Sequence, residues 1–437
     1  MYKRQGRFVV ASPDAVINGV NVGRYLQTYS KRDFGPRLGA AYDLFGDGRT
    51  ILRGGYGIFW NFSTGGTSSS KAQNPPFLQS TTLTTNLGTN LRLSEGFPPP
   101  PGVDPSREPA GTTRSVADVN YRDAYAHNFN VNVQRQLSEL YMVEVAYAGS
   151  RGRQLPLKVD PNQPIPTLGV TDNNVNRPYI RLSPQLRTVG QLVSQGFVDY
   201  NGLLMKFQRR YANNFSTLTS YTFARSEDYN SDNDGLVTLT NVYDKEYDRG
   251  PSQYDVTHTL SSTVIYEFPW AKTRFYGGWQ VAGALYLRSG LPINITTTQN
   301  ILSTTAGQTG AVAGPRPNQT CDGKLSNPTI DRWFDTSCFV NVTENTATYG
   351  NAERNSIRGP GAFNIDASLV KNTRIGRYET EVRIEAFNVL NHAQWALPNG
   401  QLGNPQFGVV TALLASPSCA FCGTIERQIQ IAAKLKF

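Results

Sequence analysis

From Asn128 to Leu137 the chain alternates between polar and apolar positions. Phe129, Val131, Val133 and Leu137 fall on one side; Asn128, Asn130, Asn132, Gln134 and Gln136 fall on the other. Successive side chains of a strand point to opposite faces, so this period of two predicts a strand with one apolar and one wet face. A helix would scatter the same residues around its circumference. The same writing recurs along the chain. Leu38, Ala40, Tyr42 and Leu44 oppose Arg37, Gly39, Ala41 and Asp43, and Leu52, Tyr56, Ile58 and Trp60 oppose Arg53, Gly55 and Gly57. Val143, Val145 and Tyr147 oppose Glu144, Ala146 and Ala148; Leu203, Met205 and Phe207 oppose Lys206, Gln208 and Arg210. Further strands are predicted over about 215–226, 254–268, 277–289, 362–371, 378–390 and 425–437, for about eleven in all. In the last of them Ile429, Ile431, Ala433, Leu435 and Phe437 alternate with Gln428, Gln430, Ala432, Lys434 and Lys436.

The connections alternate in length. Short turns are predicted at 45–48, 138–139, 212–214, 269–273 and 373–377, and long segments at about 61–126, 150–199, 227–253, 290–361 and 391–424. Outer-membrane barrels sort their loops in this way, with short periplasmic turns and long extracellular loops. Long structureless loops would count against a compact soluble domain. The strand length also fits, because about ten residues at ~3.3 Å, tilted by ~40°, cross the ~25 Å apolar band. Trp60, Tyr147, Tyr266, Trp270 and Trp279 lie near strand ends, where girdle aromatics belong, although aromatics are common in strands of every kind. The expected fold is therefore an all-β, transmembrane antiparallel barrel over residues 35–437, preceded by an incomplete barrel or loop segment at 1–34.

Composition sharpens this reading. Apolar residues make up 39% and charged residues 17% of 437, while Tyr and Phe number 22 and 21. Disorder would not carry 11% aromatics. No run approaches the ~20 apolar residues of a membrane helix. The basic start at Met1–Gly6 is followed by no apolar signal region. The net charge of +9 is spread thinly, which argues against nucleic acid as a partner. An odd strand count leaves backbone groups unpaired in lipid, so the chain reads as a fragment lacking signal peptide and further strands.

Cys321 and Cys338 form one local pair and Cys419 and Cys422 another. Two disulfides on the outer side are expected, with a four-cysteine zinc site as the alternative. The run from Asn230 to Gly235 partly matches a calcium loop, and Asp228, Asp232 and Asp234 are the residues that would ligate the ion. Position twelve is Asn241 rather than Glu, so a plain polar loop is the favoured reading and no cofactor is expected. His127, His258 and His392 lack ligand spacing, and no nucleophile–base constellation is present, so the chain does not read as an enzyme.

Several stretches carry a family likeness: Phe34-Gly-Pro-Arg-Leu-Gly-Ala-Ala-Tyr-Asp43, Leu52-Arg-Gly-Gly-Tyr-Gly-Ile-Phe59, Arg249-Gly-Pro-Ser-Gln-Tyr-Asp-Val-Thr-His258, Arg288-Ser-Gly-Leu-Pro292, Asn355-Ser-Ile-Arg-Gly-Pro-Gly361 and Glu385-Ala-Phe-Asn-Val-Leu-Asn-His392. Together with the C-terminal strand they resemble Oar-like TonB-dependent receptors, whose members often carry a carboxypeptidase-regulatory-like domain. The resemblance implies about the last half of a 22-stranded barrel closed by a plug, in the outer membrane of a Gram-negative bacterium. It implies import of a scarce or large substrate, driven by the TonB complex through the missing N-terminal part. Ile429, Ile431, Ala433, Leu435 and Phe437 resemble the signal read by the barrel-assembly machinery, and membrane lipid and lipopolysaccharide are the expected surroundings. A structural or adhesive outer-membrane protein and a plug-less porin are the alternatives.

Overall fold

A computed structural model of the chain describes residues 12–17, 19–25, 28, 33–61, 112–165, 167, 173–181, 184, 186–231, 238–270, 275–297, 315–342, 348–414 and 426–437. Eleven long strands follow in chain order: β1 (Arg37–Asp43), β2 (Thr50–Asn61), β3 (Ala124–Gln136), β4 (Tyr141–Val159), β5 (Leu186–Ala212), β6 (Phe215–Asp228), β7 (His258–Glu267), β8 (Trp279–Arg288), β9 (Ala362–Ile375), β10 (Tyr378–Phe387) and β11 (Gln428–Lys436). Each pairs with the strand before and after it, always antiparallel, so the sheet is an up-and-down meander. Among the described residues β1 and β11 pair on one side only, and the sheet is not closed into a barrel.

The short turns use residues that tolerate positive φ. Asn213 (φ 48°) and Asn214 (φ 65°) make the two-residue hairpin between β5 and β6, the geometry that matches strand twist. Gly46 and Gly48, each at φ 70°, turn β1 into β2, and Asp43 Oδ2 accepts the Gly48 N–H at 2.7 Å.

Register puts most of the apolar positions of the strands on one face. Across the ladders Leu38 meets Tyr56, which meets Phe129, then Gly149 and Asn201. Val145 meets Met205, which meets Tyr221 and then Leu260. On the far side Leu369 meets Ile384, which meets Ile431. Val131, Val145, Met205, Val382 and Ile384 are exposed there, which suits lipid rather than water. The opposite face carries Arg53, Asn132, Glu144, Lys206, Glu381, Arg383 and Lys434. Arg53 Nη1 donates to Gln134 Oε1 at 2.7 Å, and Asn132 Nδ2 donates to Glu144 Oε1 at 3.2 Å. An apolar outer wall and a hydrogen-bonded polar inner wall are what a lipid-embedded sheet around water requires.

Two strands depart from expectation. β4 reaches Val159 and β5 begins at Leu186, so the connection expected over 150–199 is strand at both ends. The cause is a bulge: Gln154 takes φ 56°, and the pairing with β5 shifts between Arg153 and Pro156. The bulge breaks the alternation that marks a strand, then re-aims Leu157 into a small buried cluster with Val193, Tyr229 and Leu239. At 27 residues β5 measures roughly 90 Å along the strand, well beyond the apolar band. A further short strand, Thr112–Ala117, lies within the connection expected over 61–126 and pairs parallel with β5.

Candidate functional site

Beyond the membrane band the connections fold into a packed platform. The connection after β8 pairs Pro292–Ile293 with Ile357–Arg358 and Asn318–Gln319 with Phe339–Val340. Thr296–Thr297 pairs parallel with Gln401–Leu402 from the connection after β10. The platform has its own core of Ile293, Ile295, Phe334, Cys338, Phe339, Ala352 and Ile357, with Trp333 and Phe407 against it. Cys321 is bonded to Cys338 beside that core. Cys419 and Cys422 lie outside the described residues.

Four arginine–aspartate pairs, three of them buried, tie the outer connections down. Arg354 Nη1 donates to Asp228 Oδ1 at 2.8 Å and to the Asp228 carbonyl at 2.9 Å, while its Nη2 reaches Ser231 Oγ at 2.9 Å. Arg316 Nη1 donates to Asp248 Oδ1 at 3.0 Å and its Nε to the Ala352 carbonyl at 2.8 Å, with the guanidinium 3.6 Å from the Tyr247 ring centre. Arg358 pairs with Asp255, whose other oxygen accepts the Ser226 N–H at 2.6 Å. Arg177 lies 3.7 Å from Asp160 and donates to the carbonyls of Asn162 and Arg187. Both members of the Arg354–Asp228 and Arg316–Asp248 pairs are at most 1% exposed. A charge so placed is tolerable only when paired and fully hydrogen-bonded, and these are.

The pairs join motifs that lie far apart in sequence. Arg358 of the Asn355–Gly361 stretch holds Asp255 of the Arg249–His258 stretch, and Asn355 Nδ2 donates to the Pro251 carbonyl at 2.6 Å. Gly290 of the Arg288–Pro292 stretch lies so close that a Cβ there would sit 1.7 Å from the Gly359 carbonyl oxygen. Only glycine permits that approach. In the Glu385–His392 stretch, Asn388 Oδ1 accepts the His392 N–H at 2.9 Å and Asp366 Oδ1 accepts the Asn388 N–H at 2.8 Å, closing the turn after β10. These later motifs are thus fasteners of the outer connections, whereas the Phe34–Asp43 and Leu52–Phe59 stretches belong to the wall strands β1 and β2. The pairings of Arg316, Arg354 and Arg358 were not visible in the sequence, because those partners stand 68 to 126 positions apart.

The residues weighed as metal ligands fare differently. Asp228 is fully buried and bonded to Arg354 and Ser231. Asp232 and Asp234 lie outside the described residues. His127 and His258 each sit on the outer wall with Nδ1 2.7 Å from a tyrosine hydroxyl, Tyr56 and Tyr221 respectively, and His392 packs edge-on against Phe363. Among the described residues no group of three or more His, Cys, Asp or Glu gathers to hold a metal. On the inner wall Arg383 bridges Glu381 (2.8 Å) and Glu385 (3.3 Å) beside Lys434, at the edge of a cleft of about 300 Å³. Ile429, Ile431, Ala433 and Leu435 occupy the outer face of β11, and Phe437, just past its end, packs edge-on against Tyr378.

A meander with a lipid-type outer wall, a polar inner wall and a folded outer platform defines an integral outer-membrane protein. The profile of the family described as "Outer membrane beta barrel domain" matches residues 1–430, and the chain belongs to that family. Its place is the outer membrane of a Gram-negative bacterium. Among solved structures it is similar to the outer membrane transporter YddB from Escherichia coli (TM-score 0.49, 11% identity, 91% of this chain and 40% of that one). It is also similar to the FrpB iron transporter from Neisseria meningitidis (TM-score 0.41, 9%, 91% and 38%). The pyoverdine receptor FpvA from Pseudomonas aeruginosa is a third (TM-score 0.43, 8%, 92% and 36%). The chain spans less than half the length of each. No curated protein matches the sequence.

Proposed function

We propose that this chain is about the C-terminal half of an Oar-like TonB-dependent receptor that imports a scarce or large substrate across the outer membrane. The observation that carries the reading is the fastened platform. A porin needs loops that leave its pore open, whereas here the outer connections share a hydrophobic core and are held by buried ion pairs. Such a surface is pre-organised to hold a large ligand at little ordering cost. The polar inner wall would face a plug supplied by another part of the receptor, and the unpaired edges of β1 and β11 would be met by its other strands. The quoted transporters and receptor accord with this, each more than twice as long as the matched region.

Two measurements on the complete receptor test it. Purified receptor in a planar bilayer should show no standing conductance; an open channel would make it a porin. Cells expressing it should take up at least one medium component in a way that a protonophore abolishes; energy-independent uptake would defeat the TonB reading. A second reading, an adhesive surface protein, is favoured by the platform having its own core. It predicts lost cell–surface attachment on gene deletion with no change in uptake.

A further inference from the structure

We propose that the upper edge of β5 is a docking site for an extended peptide segment, and that the chain's own strand Thr112–Ala117 is its resident occupant. The inference concerns the outer connections and is independent of the transport reading. Leu192 stands some 20 residues above Ala212 on β5, which at ~3.3 Å each and ~40° of tilt is roughly 50 Å, about twice the height of the apolar band. The stretch Leu186–Leu192 therefore lies on the exterior side. β4 covers one of its edges, with Lys158 opposite Leu192 and Val159 opposite Gln191. β6 stops at Asp228, opposite Val198, and leaves the other edge without a wall strand above that point. Thr112–Ala117 fills it, with Val116 opposite Gln191 and Ala117 opposite Leu192. The Leu192 carbonyl accepts the Asp118 N–H at 2.8 Å on that side, while the Val189 N–H goes to Asp160 Oδ1 at 2.9 Å on the β4 side.

The occupant is held weakly where it pairs and firmly where it ends. Its ladder is six residues long and parallel, inside a sheet whose other ladders are antiparallel. The register shifts between Thr112 and Arg114. Parallel bonds are slanted and slightly weaker per residue, and among the described residues the strand pairs with β5 alone. Past Ala117 the chain is tied down. The Val119 carbonyl accepts the Thr28 N–H at 2.8 Å, and Ser194 Oγ bonds both the Arg122 N–H (2.7 Å) and the Arg122 carbonyl (2.8 Å). The six residues can thus peel away while β3 stays in place. Vacating the edge outright would strand backbone groups beside Leu186, Val189 and Leu192, which are buried. Exchange is different, because an incoming segment restores the bonds. Arriving antiparallel, it would make the straighter ladder, and main-chain pairing of this kind is how a sheet edge accepts an extended peptide. The occupant's own sequence, Thr-Thr-Arg-Ser-Val-Ala, sets the chemistry: a short segment whose Thr and Val residues favour extended backbone.

The test uses the full receptor in detergent and, as probe, a fluorescein-labelled peptide of residues 112–119, followed by fluorescence anisotropy. The peptide should bind saturably. A copy with prolines in place of Ser115 and Val116 should not, since successive N–H groups point to opposite sides and one of the two must face β5. Ser115→Pro with Val116→Pro in the receptor itself should free the edge and tighten peptide binding about tenfold, because the competent state is populated more often. Val116→Cys with Gln191→Cys, oxidised, should lock the resident strand and abolish binding, while each single cysteine variant binds as the unmodified receptor does. Equal binding by the locked and unlocked receptors would put the peptide elsewhere and overturn the site. So would binding of the proline copy, or no binding to either the unmodified or the proline receptor. Dimers of the proline receptor in light scattering, with no peptide bound, would make a second copy the occupant and overturn the peptide reading. If the cysteine variant does not fold, the proline copy and the proline receptor still decide.

Discussion

Single residues set the stiffness of the outer platform. Arg354 and Asp228 are the clearest case, each buried and each the other's only opposite charge among the described ion pairs. Arg354→Ala should destabilise the platform by about 3–5 kcal/mol, because it strands a buried carboxylate. Arg354→Ala with Asp228→Ala together should cost less than the sum of the two, and a denaturant double-mutant cycle reads the difference. Additive losses would mean that the pair is no coupled unit. Tyr247 gives a pH signature. Burial, first of all, pushes its phenol up to about 12 from an ordinary 10, and burial also raises Tyr349 beside it. A phenol raised in the folded state contributes stability that is complete below pH 10 and is lost as pH climbs through about 12. Tyr247→Phe should move the alkaline loss of platform structure to higher pH, followed by near-ultraviolet circular dichroism alongside tyrosinate absorbance. An unmoved profile would show that Tyr247 does not report on the platform.

At the scale of elements, the disulfide divides platform from wall. Cys321 and Cys338 are 17 positions apart and close a loop onto Phe334 and Phe339. Cys321→Ser with Cys338→Ser should remove about 3 kcal/mol in the chain-entropy account. Hydrogen exchange should then quicken over 315–342 while the β7–β9 ladders stay protected. Equal quickening of both would make platform and wall one cooperative unit. The elements also show what a sequence can disclose. β3 was legible because Phe129, Val131 and Val133 alternate with asparagines, and the β5–β6 turn because Asn213-Asn214 is turn chemistry. The upper halves of β4 and β5 were not, because the bulge at Gln154 interrupts the alternation and the residues beyond it bury against loops. The ion pairs were invisible for another reason: nothing local distinguishes Arg316 or Arg354 from a solvated arginine until a fold brings Asp248 or Asp228 to it.

At the scale of the whole molecule, the two edges pose the central question. β1 and β11 are odd-numbered members of an alternating meander, so they run in the same direction, and neither has an outer partner among the described residues. Unpaired N–H and C=O groups in lipid cost several kcal/mol each, which an isolated sheet cannot offset. Closure of β1 directly onto β11 would require a parallel seam and an odd-stranded barrel, unlike the even antiparallel barrels of bacteria. Its lumen would also be far narrower than that of about twice the strands, since diameter grows with strand number. The 437-residue chain produced alone should therefore elute as oligomers in detergent, sealed edge to edge, by light scattering. Leu38→Cys on β1 and Ile431→Cys on β11 both face outward, so their cross-linking reports the seam. Within one chain they should not cross-link. A monomer that does cross-link there would be a self-closed barrel too narrow for a plug, and the import reading would give way to a structural one.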